Sequence, residues 1–434
     1  MSSSYALFAY AAPLALLWMA YALSRRRSAH NAAFTYAEAV ANGLNEPASL
    51  HPSIDTDRCL GCGACVRACP EGQVIGLING KAKLVEGANC IGHGACKESC
   101  PFDAITLVFG TEKRGVEIPE VGSDFQTNVP GMFIAGELGG MGLIRNAIEQ
   151  GTQALDSIAA VARARSHEVC DLIIIGAGPA GIAAGLAAKS IGIRFIILEQ
   201  ETFGGTVAHF PRGKIVMTQP MNLPLVGKMR FKEVTKERLL AFWADVLRRY
   251  PLPICYGECV EGISNEGNGF TVQTSAGVRR SATVLLAIGR RGTPRKLDVP
   301  GEEQAKVVYR LVDPEQYRGR HVLVVGGGDS ALEAAAEIAE QPNSIVTLSY
   351  RGDAFSRAKA KNRMRIEGAA RNGSVNVRLG SQVNAIGRDE VELEINGVRQ
   401  KIRNDTVIVC AGGILPTAFL KNIGIRMETK HGTR

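Results

Sequence analysis

The chain has 434 residues, of which 46% are hydrophobic and 49 are glycine, a composition typical of a large globular protein and not of a disordered one. At roughly one domain per 150 residues, this length predicts about three structural units. The formal net charge of +8 is modest for the length. The sequence contains no basic stripe of the kind that binds nucleic acid, so we expect no nucleic-acid partner.

The first predicted element is a membrane-spanning helix at the amino terminus. Residues 5–23 carry no charge and are just long enough to cross a hydrocarbon core of about 30 Å. Arg25, Arg26 and Arg27 follow at once, which predicts that everything after them lies in the cytoplasm. We therefore expect a transmembrane anchor over 1–27, a polar linker with one short helix over 28–50 and a location in the inner (cytoplasmic) membrane of a bacterium. The alternative is a helix that packs against protein.

Two cysteine-rich runs come next. Residues 59–70 read CLGCGACVRACP, and residues 90–101 read CIGHGACKESCP, with the same spacing but with a histidine at the second ligand position. Such a run is typical of iron–sulfur proteins, where its fourth cysteine binds the other cluster of the pair. Zinc competes as the metal, but the interleaved runs, each with a trailing proline, favour iron–sulfur clusters. The predicted ligands are, for one cluster, Cys59, Cys62, Cys65 and Cys100, and for the other, Cys69, Cys90, Cys96 and His93.

Residues 51–110 resemble a bacterial two-cluster ferredoxin, which implies a small α+β module that holds two [4Fe–4S] clusters. His93 departs from the family pattern. It leaves three interpretations open: an imidazole ligand, a [3Fe–4S] cluster, or an iron with an open position. An imidazole in place of a thiolate removes negative charge, so we expect it to raise the potential of that cluster, as in Rieske centres.

A first glycine fingerprint lies in residues 171–181, DLIIIGAGPAG. A short apolar strand leads into Gly176, Gly178, Pro179 and Gly181, and a second strand, FIILE, ends at Glu199. This order of strand, glycine turn, helix, strand and acid predicts a dinucleotide site, with the pyrophosphate at the helix start and the acid at a ribose hydroxyl.

A second fingerprint follows in residues 321–340, HVLVVGGGDSALEAAAEIAE. The residues expected at the nucleotide are Gly326, Gly328, Asp329, Ser330 and Ala331. The next strand ends with Arg351, and Arg357 follows, with no acid between. Basic residues at this place suit a 2′-phosphate, so we expect NADPH in preference to NADH. Two fingerprints predict two nucleotides, FAD at the first and NAD(P)H at the second.

Residues 113–434 resemble the thioredoxin-reductase-like class of flavoprotein pyridine-nucleotide oxidoreductases. The resemblance rests on IIIGAGPAG, on Gly204, Gly205 and Thr206, on LLAIGRRGTPRKLDVPGEE at 285–303 and on VVGGGDSALE. It implies an α/β protein with two Rossmann-like (doubly wound) nucleotide-binding domains, a turn at 204–206 that lies along the flavin, and a homodimer. The Cys-x-x-Cys pair of true thioredoxin reductases is missing before the second fingerprint, so dithiol exchange there is excluded. In this respect the chain is similar to the ferredoxin–NADP reductase branch.

The pieces of this class stand in an unusual order. The segment that closes the flavin domain, normally near the carboxyl terminus, resembles TNVPGMFIAGE at 127–137, followed by GLIRNAIEQG. The resemblance therefore implies a circular permutation. It places Gly136, Glu137, Arg145, Asn146 and Ala147 at the flavin, with Glu137 where the family has aspartate. The predicted domains are a ferredoxin module at 51–110, a FAD-binding domain at 111–295, an NAD(P)H-binding domain at 296–411 and a return to the FAD domain at 412–434.

Together these features predict a membrane-anchored flavin and iron–sulfur oxidoreductase. We expect it to move electrons between NAD(P)H and a redox partner, such as a membrane or haem protein, through FAD and two clusters. One alternative is an NAD(P)H-dependent reductase of a small disulfide or quinone at the flavin. Another is an electron-entry subunit of a larger complex, similar to the small subunit of glutamate synthase.

Overall fold

The computed structural model describes residues 2–41, 45–47, 50–90, 92–112, 115–140, 142–162, 170–210, 212–217, 220–229, 234–267, 269–290, 292–355 and 358–432. The chain divides into two compact units, residues 1–116 with 430–434, and residues 117–429.

The first unit begins with one long helix, α1 (Ser2–Ala41). The helix continues through the segment for which the sequence predicted a linker, because residues 28–41 contain no glycine or proline to end it. Its second half packs against the cysteine module: a β-carbon on Gly76 would lie 2.6 Å from the Cβ of Ala32, and the Lys83 ammonium lies 3.9 Å from the centre of the Tyr36 ring.

The predicted membrane anchor falls within the first part of α1. Among the described residues, no helix combines the length and the hydropathy needed to cross a bilayer. The side chains of residues 1–12, which belong to the predicted span, lie outside the described part.

The cysteine module is built from short elements. They are β1 (His51–Ile54), α2 (Ala64–Ala68), β2 (Ile75–Ile78), β3 (Lys81–Leu84), α3 (Ala95–Glu98) and β4 (Ile105–Val108). β1 pairs antiparallel with β4, and β2 with β3. Each cysteine run lies just outside a two-stranded ribbon and contains one short helix. The module therefore has little regular secondary structure.

The second unit contains two open sheets with helices. The elements up to the end of the first sheet are β5 (Val116–Pro119), β6 (Met132–Ile134), α4 (Ile144–Ala162), β7 (Cys170–Ile175), α5 (Pro179–Ile191), β8 (Phe195–Glu199), β9 (Ile215–Met217), β10 (Met221–Leu223), β11 (Gly227–Met229), β12 (Val234–Thr235), α6 (Lys236–Arg249), β13 (Ile254–Tyr256), β14 (Val260–Asn265), β15 (Phe270–Thr274), β16 (Gly277–Leu286) and β17 (Thr293–Pro294). The sheet order is β13-β8-β7-β16-β15-β14. The strands β13, β8, β7 and β16 run parallel, as a doubly wound sheet requires.

The second sheet of this unit holds the second fingerprint. Its elements and those that follow are β18 (Val307–Val308), β19 (His321–Val325), α7 (Asp329–Ala339), β20 (Ile345–Tyr350), α8 (Ala360–Arg371), β21 (Val375–Leu379), β22 (Ser381–Ile386), β23 (Glu390–Ile395), β24 (Val398–Arg403), β25 (Thr406–Val409), β26 (Gly413–Ile414), α9 (Thr417–Asn422) and β27 (Met427–Lys430). Five parallel strands form the order β18-β25-β19-β20-β21. β17 and β26 form the two-stranded ribbon through which the chain passes between the two sheets.

The short strand β6 has an unexpected place for its position in the chain. It pairs in parallel with the end of β16, from Met132 opposite Val284 to Ile134 opposite Leu286. The following helix α4 packs on α5, where a β-carbon on Gly151 would lie 2.2 Å from the carbonyl oxygen of Ala180. A segment that precedes the first fingerprint in sequence therefore completes the sheet of that fingerprint.

Candidate cofactor sites

The first glycine turn connects β7 to α5 and leaves no room for side chains. Gly176 has φ +105°, and a β-carbon there would lie 2.6 Å from the carbonyl oxygen of Ala287. A β-carbon on Gly181 would lie 1.9 Å from the carbonyl oxygen of Gly176. These two glycines therefore let the turn close and the helix approach the strand, which are two of the roles of a dinucleotide fingerprint.

Glu199 stands at the end of β8 and ties this turn together. Its carboxylate accepts the N–H of Ala177 at 2.7 Å and the N–H of Glu201 at 2.9 Å, and the residue is 7% exposed. A carboxylate has about four lone-pair directions, so it can still accept a ribose hydroxyl, the role expected from the sequence.

The segment after β6 reaches the same turn. A β-carbon on Gly136 (φ +87°) would lie 3.0 Å from the Cβ of Ala180 on α5, and the N–H of Gly136 donates to the side chain of Gln150 at 2.8 Å. Since α5 begins at Pro179, the predicted flavin-contacting residues that precede the fingerprint stand beside the fingerprint in space.

The second glycine turn connects β19 to α7 in the same way. Gly326 has φ +146°, and its β-carbon would lie 2.4 Å from the carbonyl oxygen of Cys410. The ring of Tyr350, at the end of β20, packs so closely that a β-carbon on Gly327 would lie 2.4 Å from it. Asp329 accepts from the N–H of Lys359 and from Asn362, both contacts with the α8 region.

One cavity of 2030 Å³ contains both turns. That exceeds the roughly 300–1,000 Å³ of a site for a single small molecule, as two dinucleotides require. Most of the residues that the sequence predicted at the nucleotides line it, namely Gly136, Glu137, Ala147, Gly176, Gly178, Pro179, Glu199, Gly205, Thr206, Gly326, Gly328, Asp329, Ser330 and Arg351. Gly181, Gly204, Arg145, Asn146 and Ala331 are not among its lining residues. Arg357 lies outside the described residues.

Several charged residues of the cavity wall were not predicted from the sequence. Glu201 binds His209 at 2.9 Å and Arg310 at 3.3 Å, and Lys214 binds Glu333 on α7 at 3.4 Å. The contacts of Glu201 and the contact of Lys214 each join a segment that follows the first fingerprint to a segment near the second fingerprint. Lys214 therefore contacts the helix of the second nucleotide site. Sequence motifs did not predict the pairs Glu201–Arg310 and Lys214–Glu333, because each pair joins residues more than 100 positions apart.

The first cysteine set lines one small cavity. Cys59, Cys62, Cys65 and Cys100 are all in its wall, and the N–H of Ala82 points at the Sγ of Cys59 from 3.4 Å. Burial raises the pKa of the Cys65 thiol, and the neighbouring Cys59 and Cys62 raise it further. The four side chains that interleaving predicted as one ligand set therefore line the same cavity.

The three cysteines of the second set lie near one another. Burial raises the pKa of Cys96 to about 11, with a further contribution from Cys90 and Cys69. The Nε2 of His93 is buried and has no hydrogen-bond partner, and burial lowers the pKa of this imidazole while Glu71 and Glu98 oppose the effect. An orphaned, neutral ring nitrogen is free to bind a metal, so the histidine fits a ligand role.

The cysteine sets are spread out. Within the described ranges, no three His, Cys, Asp or Glu side chains converge on one point in the manner of ligands to a single ion.

The remaining cysteines differ from expectation. Cys170, Cys255, Cys259 and Cys410 lie in apolar, strand-like runs, a pattern that predicts small buried thiols. The structure has Cys259 exposed and the other three half-buried. Strand residues beside a turn face solvent or the cavity, and Cys259 and Cys410 both line the cavity.

Comparison with known proteins identifies the family. The family model described as pyridine nucleotide-disulphide oxidoreductase matches residues 173–433. The chain belongs to this family. A second family model, the 4Fe-4S dicluster domain, matches residues 51–101, so this oxidoreductase carries a ferredoxin-type domain, as the sequence predicted.

Relatives of this pyridine nucleotide-disulphide oxidoreductase have several activities. It is 26% identical to the bacilliredoxin reductase of Bacillus subtilis (strain 168), over 60% of the chain and 82% of that protein. It is 31% identical to the thioredoxin reductase of Mycolicibacterium smegmatis, over 56% of the chain and 71% of that protein. It is 30% identical to the ferredoxin–NADP reductase of Ignicoccus hospitalis (strain KIN4/I / DSM 18386 / JCM 14125), over 43% and 57%.

A solved structure supports the same fold. The bacillithiol disulfide reductase from Bacillus cereus aligns with a TM-score of 0.52 and 26% identity, over 59% of this chain and 81% of that one. The chain is thus a flavin oxidoreductase of this family, with a cavity whose glycine turns fit dinucleotides and a cysteine module whose ligand sets fit iron–sulfur clusters.

Proposed function

We propose that the protein transfers electrons between NADPH and a redox protein, through FAD at the first glycine turn and through the two clusters of the cysteine module. The observation that carries this proposal is the cysteine module, whose first cysteine set lines one cavity, in a chain where another cavity contains both glycine turns. When bound, FAD exchanges a hydride with the nicotinamide and single electrons with iron–sulfur clusters.

The chain's own residues bind and orient the two nucleotides. The N–H groups at the starts of α5 and α7 face the cavity at Gly178 and Gly328, where each helix dipole favours a pyrophosphate. Glu199 accepts one ribose hydroxyl, and Arg351, at the cavity wall after β20, supplies positive charge to a 2′-phosphate. Arg351 is therefore our basis for NADPH in preference to NADH.

The permuted order is part of the proposal. It is supported by the parallel pairing of β6 with β16. It is also supported by the return of the carboxyl-terminal segment to the same region, where the N–H of Glu120 donates to the carbonyl of Arg426 at 2.9 Å. With this order, only a short connection separates the cysteine module from the flavin-contacting segment, and a short connection keeps the effective concentration of one redox centre at the other high.

Low-temperature EPR of the anaerobic protein after addition of NADPH tests this function. We expect signals from both clusters, and a Cys69→Ser variant that keeps FAD but loses one of the signals. Reduction of the flavin without any cluster signal would overturn the electron-transfer proposal.

A second candidate is reduction of a small disulfide at the flavin, because the similar Bacillus cereus structure is by name a bacillithiol disulfide reductase. It predicts that NADPH oxidation with a low-molecular-weight disulfide survives the loss of both clusters. Steady-state rates of the wild type and of a Cys65→Ser/Cys96→Ser variant decide between the two candidates.

Membrane attachment, a haem or membrane partner and a homodimer remain predictions from the sequence. Cell fractionation and light scattering of the purified full chain check the first and the last.

A further inference from the structure

The loop of the first cysteine set has an apolar rim. Leu60 is 64% exposed and Phe102 is 42% exposed, and both line the same cavity as Cys59, Cys65 and Cys100. Among the described residues of 50–112, these are the only large hydrophobic side chains that are so exposed. Cys62, in the same wall, is exposed as well, so this ligand set lies at the surface of the chain.

Cations surround the rim. Arg25 donates to the carbonyl of Gly61 at 2.9 Å, Lys81 to that of Cys59 at 2.7 Å and Arg67 to that of Cys62 at 3.4 Å. Arg58, the residue before Cys59, has a side chain that is 64% exposed. The loop from Cys59 to Cys69 contains no acid.

Three aspartates lie close to the ends of the loop, and one of them, Asp55, already has hydrogen-bond and ion-pair partners. Asp55 accepts from the N–H groups of Asp57 and Arg58 and pairs with the Arg58 side chain at 3.7 Å. Asp57 and Asp103 are exposed. The side chains that donate to carbonyl groups of the loop are therefore positively charged. Glu71 acts on Cys69 at the far end of the loop and, with Glu98, on His93 of the second set.

We propose that Leu60 and Phe102, with the surrounding cations Arg58 and Arg67, form the docking surface for an acidic protein that carries a one-electron centre. A small apolar centre within a charged ring suits weak redox complexes, which bury under about 1,200 Å² and rely on electrostatic steering. This inference rests on the proposed electron-transfer function and names the surface and the charge of the partner. One electron passes at each encounter: the partner gains it, the module loses it, and no bond is formed or broken.

Binding of the oxidised full-length holoprotein to two probes tests the proposal without turnover. The probes are an acidic [2Fe–2S] ferredoxin and the basic haem protein cytochrome c, each titrated by isothermal calorimetry between about 50 and 200 mM NaCl. We expect the ferredoxin to bind, with an affinity that falls as salt rises, and cytochrome c to bind far more weakly. A Leu60→Ala/Phe102→Ala variant should raise the dissociation constant of the ferredoxin about tenfold, and an Arg58→Gln/Arg67→Gln variant should flatten the salt dependence.

Matched controls are Val398→Ala and Arg403→Gln. Both residues are exposed on β24 and neither lines a cavity described above. Because Leu60 and Phe102 adjoin predicted ligands, hydrogen–deuterium exchange of the wild-type complex provides a second measurement that needs no variant. We expect protection at 58–63 and 101–104.

The proposed docking surface would be wrong if the two probes bound equally well or if the control variants weakened binding as much as the Leu60, Phe102, Arg58 and Arg67 variants. It would also be wrong if the partner protected a different part of the chain from exchange. These results are separate from the proposed function, which fails only if NADPH does not reduce the clusters.

Discussion

Gly178 and Gly205 face each other across the first nucleotide site: a β-carbon on Gly205 would lie 3.1 Å from the Cα of Gly178. The two glycines belong to different motifs, the fingerprint and the turn after β8. Their contact places the expected pyrophosphate site directly against the turn that we expect to face the flavin.

Gly178→Ala should abolish FAD binding without unfolding the chain. Gly178 has φ −78°, and its new methyl would meet only the Cα of Gly205, at 3.8 Å. The methyl instead occupies the space through which a pyrophosphate approaches the backbone. FAD content and circular dichroism of the purified variant check this. The control is Gly368→Ala on α8, which has open space around it; a Gly178→Ala variant with full FAD would contradict our placement of the flavin nucleotide.

Gly328→Ala should weaken NADPH binding at least tenfold and leave FAD in place. Gly328 has φ −98° and nothing within 4 Å of a β-carbon, so only a bound nucleotide would collide with the methyl. The dependence of the anaerobic flavin-reduction rate on NADPH concentration gives the apparent dissociation constant. Loss of FAD together with NADPH affinity would show that the variant acts on the fold instead.

Cys100→Ser and Cys69→Ser should each remove a different cluster. Cys100 lines the cavity of Cys59, Cys62 and Cys65, whereas Cys69 raises the pKa of Cys90 and Cys96. Each variant should therefore keep about half of the iron, with complementary EPR spectra. If the two variants lost the same signal, the ligands would not be interleaved.

His93→Cys should lower the potential of the second cluster. The variant replaces a neutral imidazole, whose Nε2 is buried and unpartnered, by an anionic thiolate that disfavours reduction. An EPR-monitored redox titration measures the shift, and the first cluster serves as the internal control. An unchanged potential with unchanged iron content would mean that His93 is not a ligand.

Arg279→Met should destabilise the second unit, and more at neutral than at acidic pH. The Arg279 guanidinium binds both oxygens of Glu258, which is 4% exposed, at 3.0 and 3.1 Å. This pairing lowers the pKa of Glu258 in the folded chain. The carboxylate therefore contributes stability above its unfolded pKa of about 4.3, and that stability is lost as pH falls through the folded value.

The free energy of unfolding at pH 7 should fall by about 1 kcal/mol, which is at the lower end for a buried group that loses a partner. The loss is small because the arginine side chain is 42% exposed and solvent screens the pair. Urea unfolding at pH 7 and near pH 4 measures it, with Arg403→Met as the control. A loss that stayed the same or grew at low pH would contradict the role of the carboxylate.

The sequence predicted the local parts of this structure well. β7 and β19 lie where apolar runs meet glycine turns, β8 ends at the predicted acid Glu199, and the four cysteines of the first set line one cavity. These features depend on residues close in sequence and on covalent geometry, since glycine adopts positive φ without the steric cost that other residues pay.

Features that depend on distant residues could not be predicted. The ion pair of Lys214 with Glu333 and the contact of Arg25 with Gly61 each join segments whose relative position follows from the whole fold. The extension of α1 through residues 28–41 was missed for a related reason. A polar, alanine-containing run has the composition of a linker, and only its packing on Gly76 shows which face of a helix is buried.

The pairing of β6 with β16 bears on how the protein is made. Met132 meets Val284 in the sheet, so the ribosome must add roughly 150 more residues before the partner strand exists, and such a distant contact forms late in folding. The residues that line the cavity of the first cysteine set all lie between Ile54 and Ile105. Cluster insertion can therefore precede completion of the flavin sheet, and a nascent chain could carry iron before it is able to hold flavin.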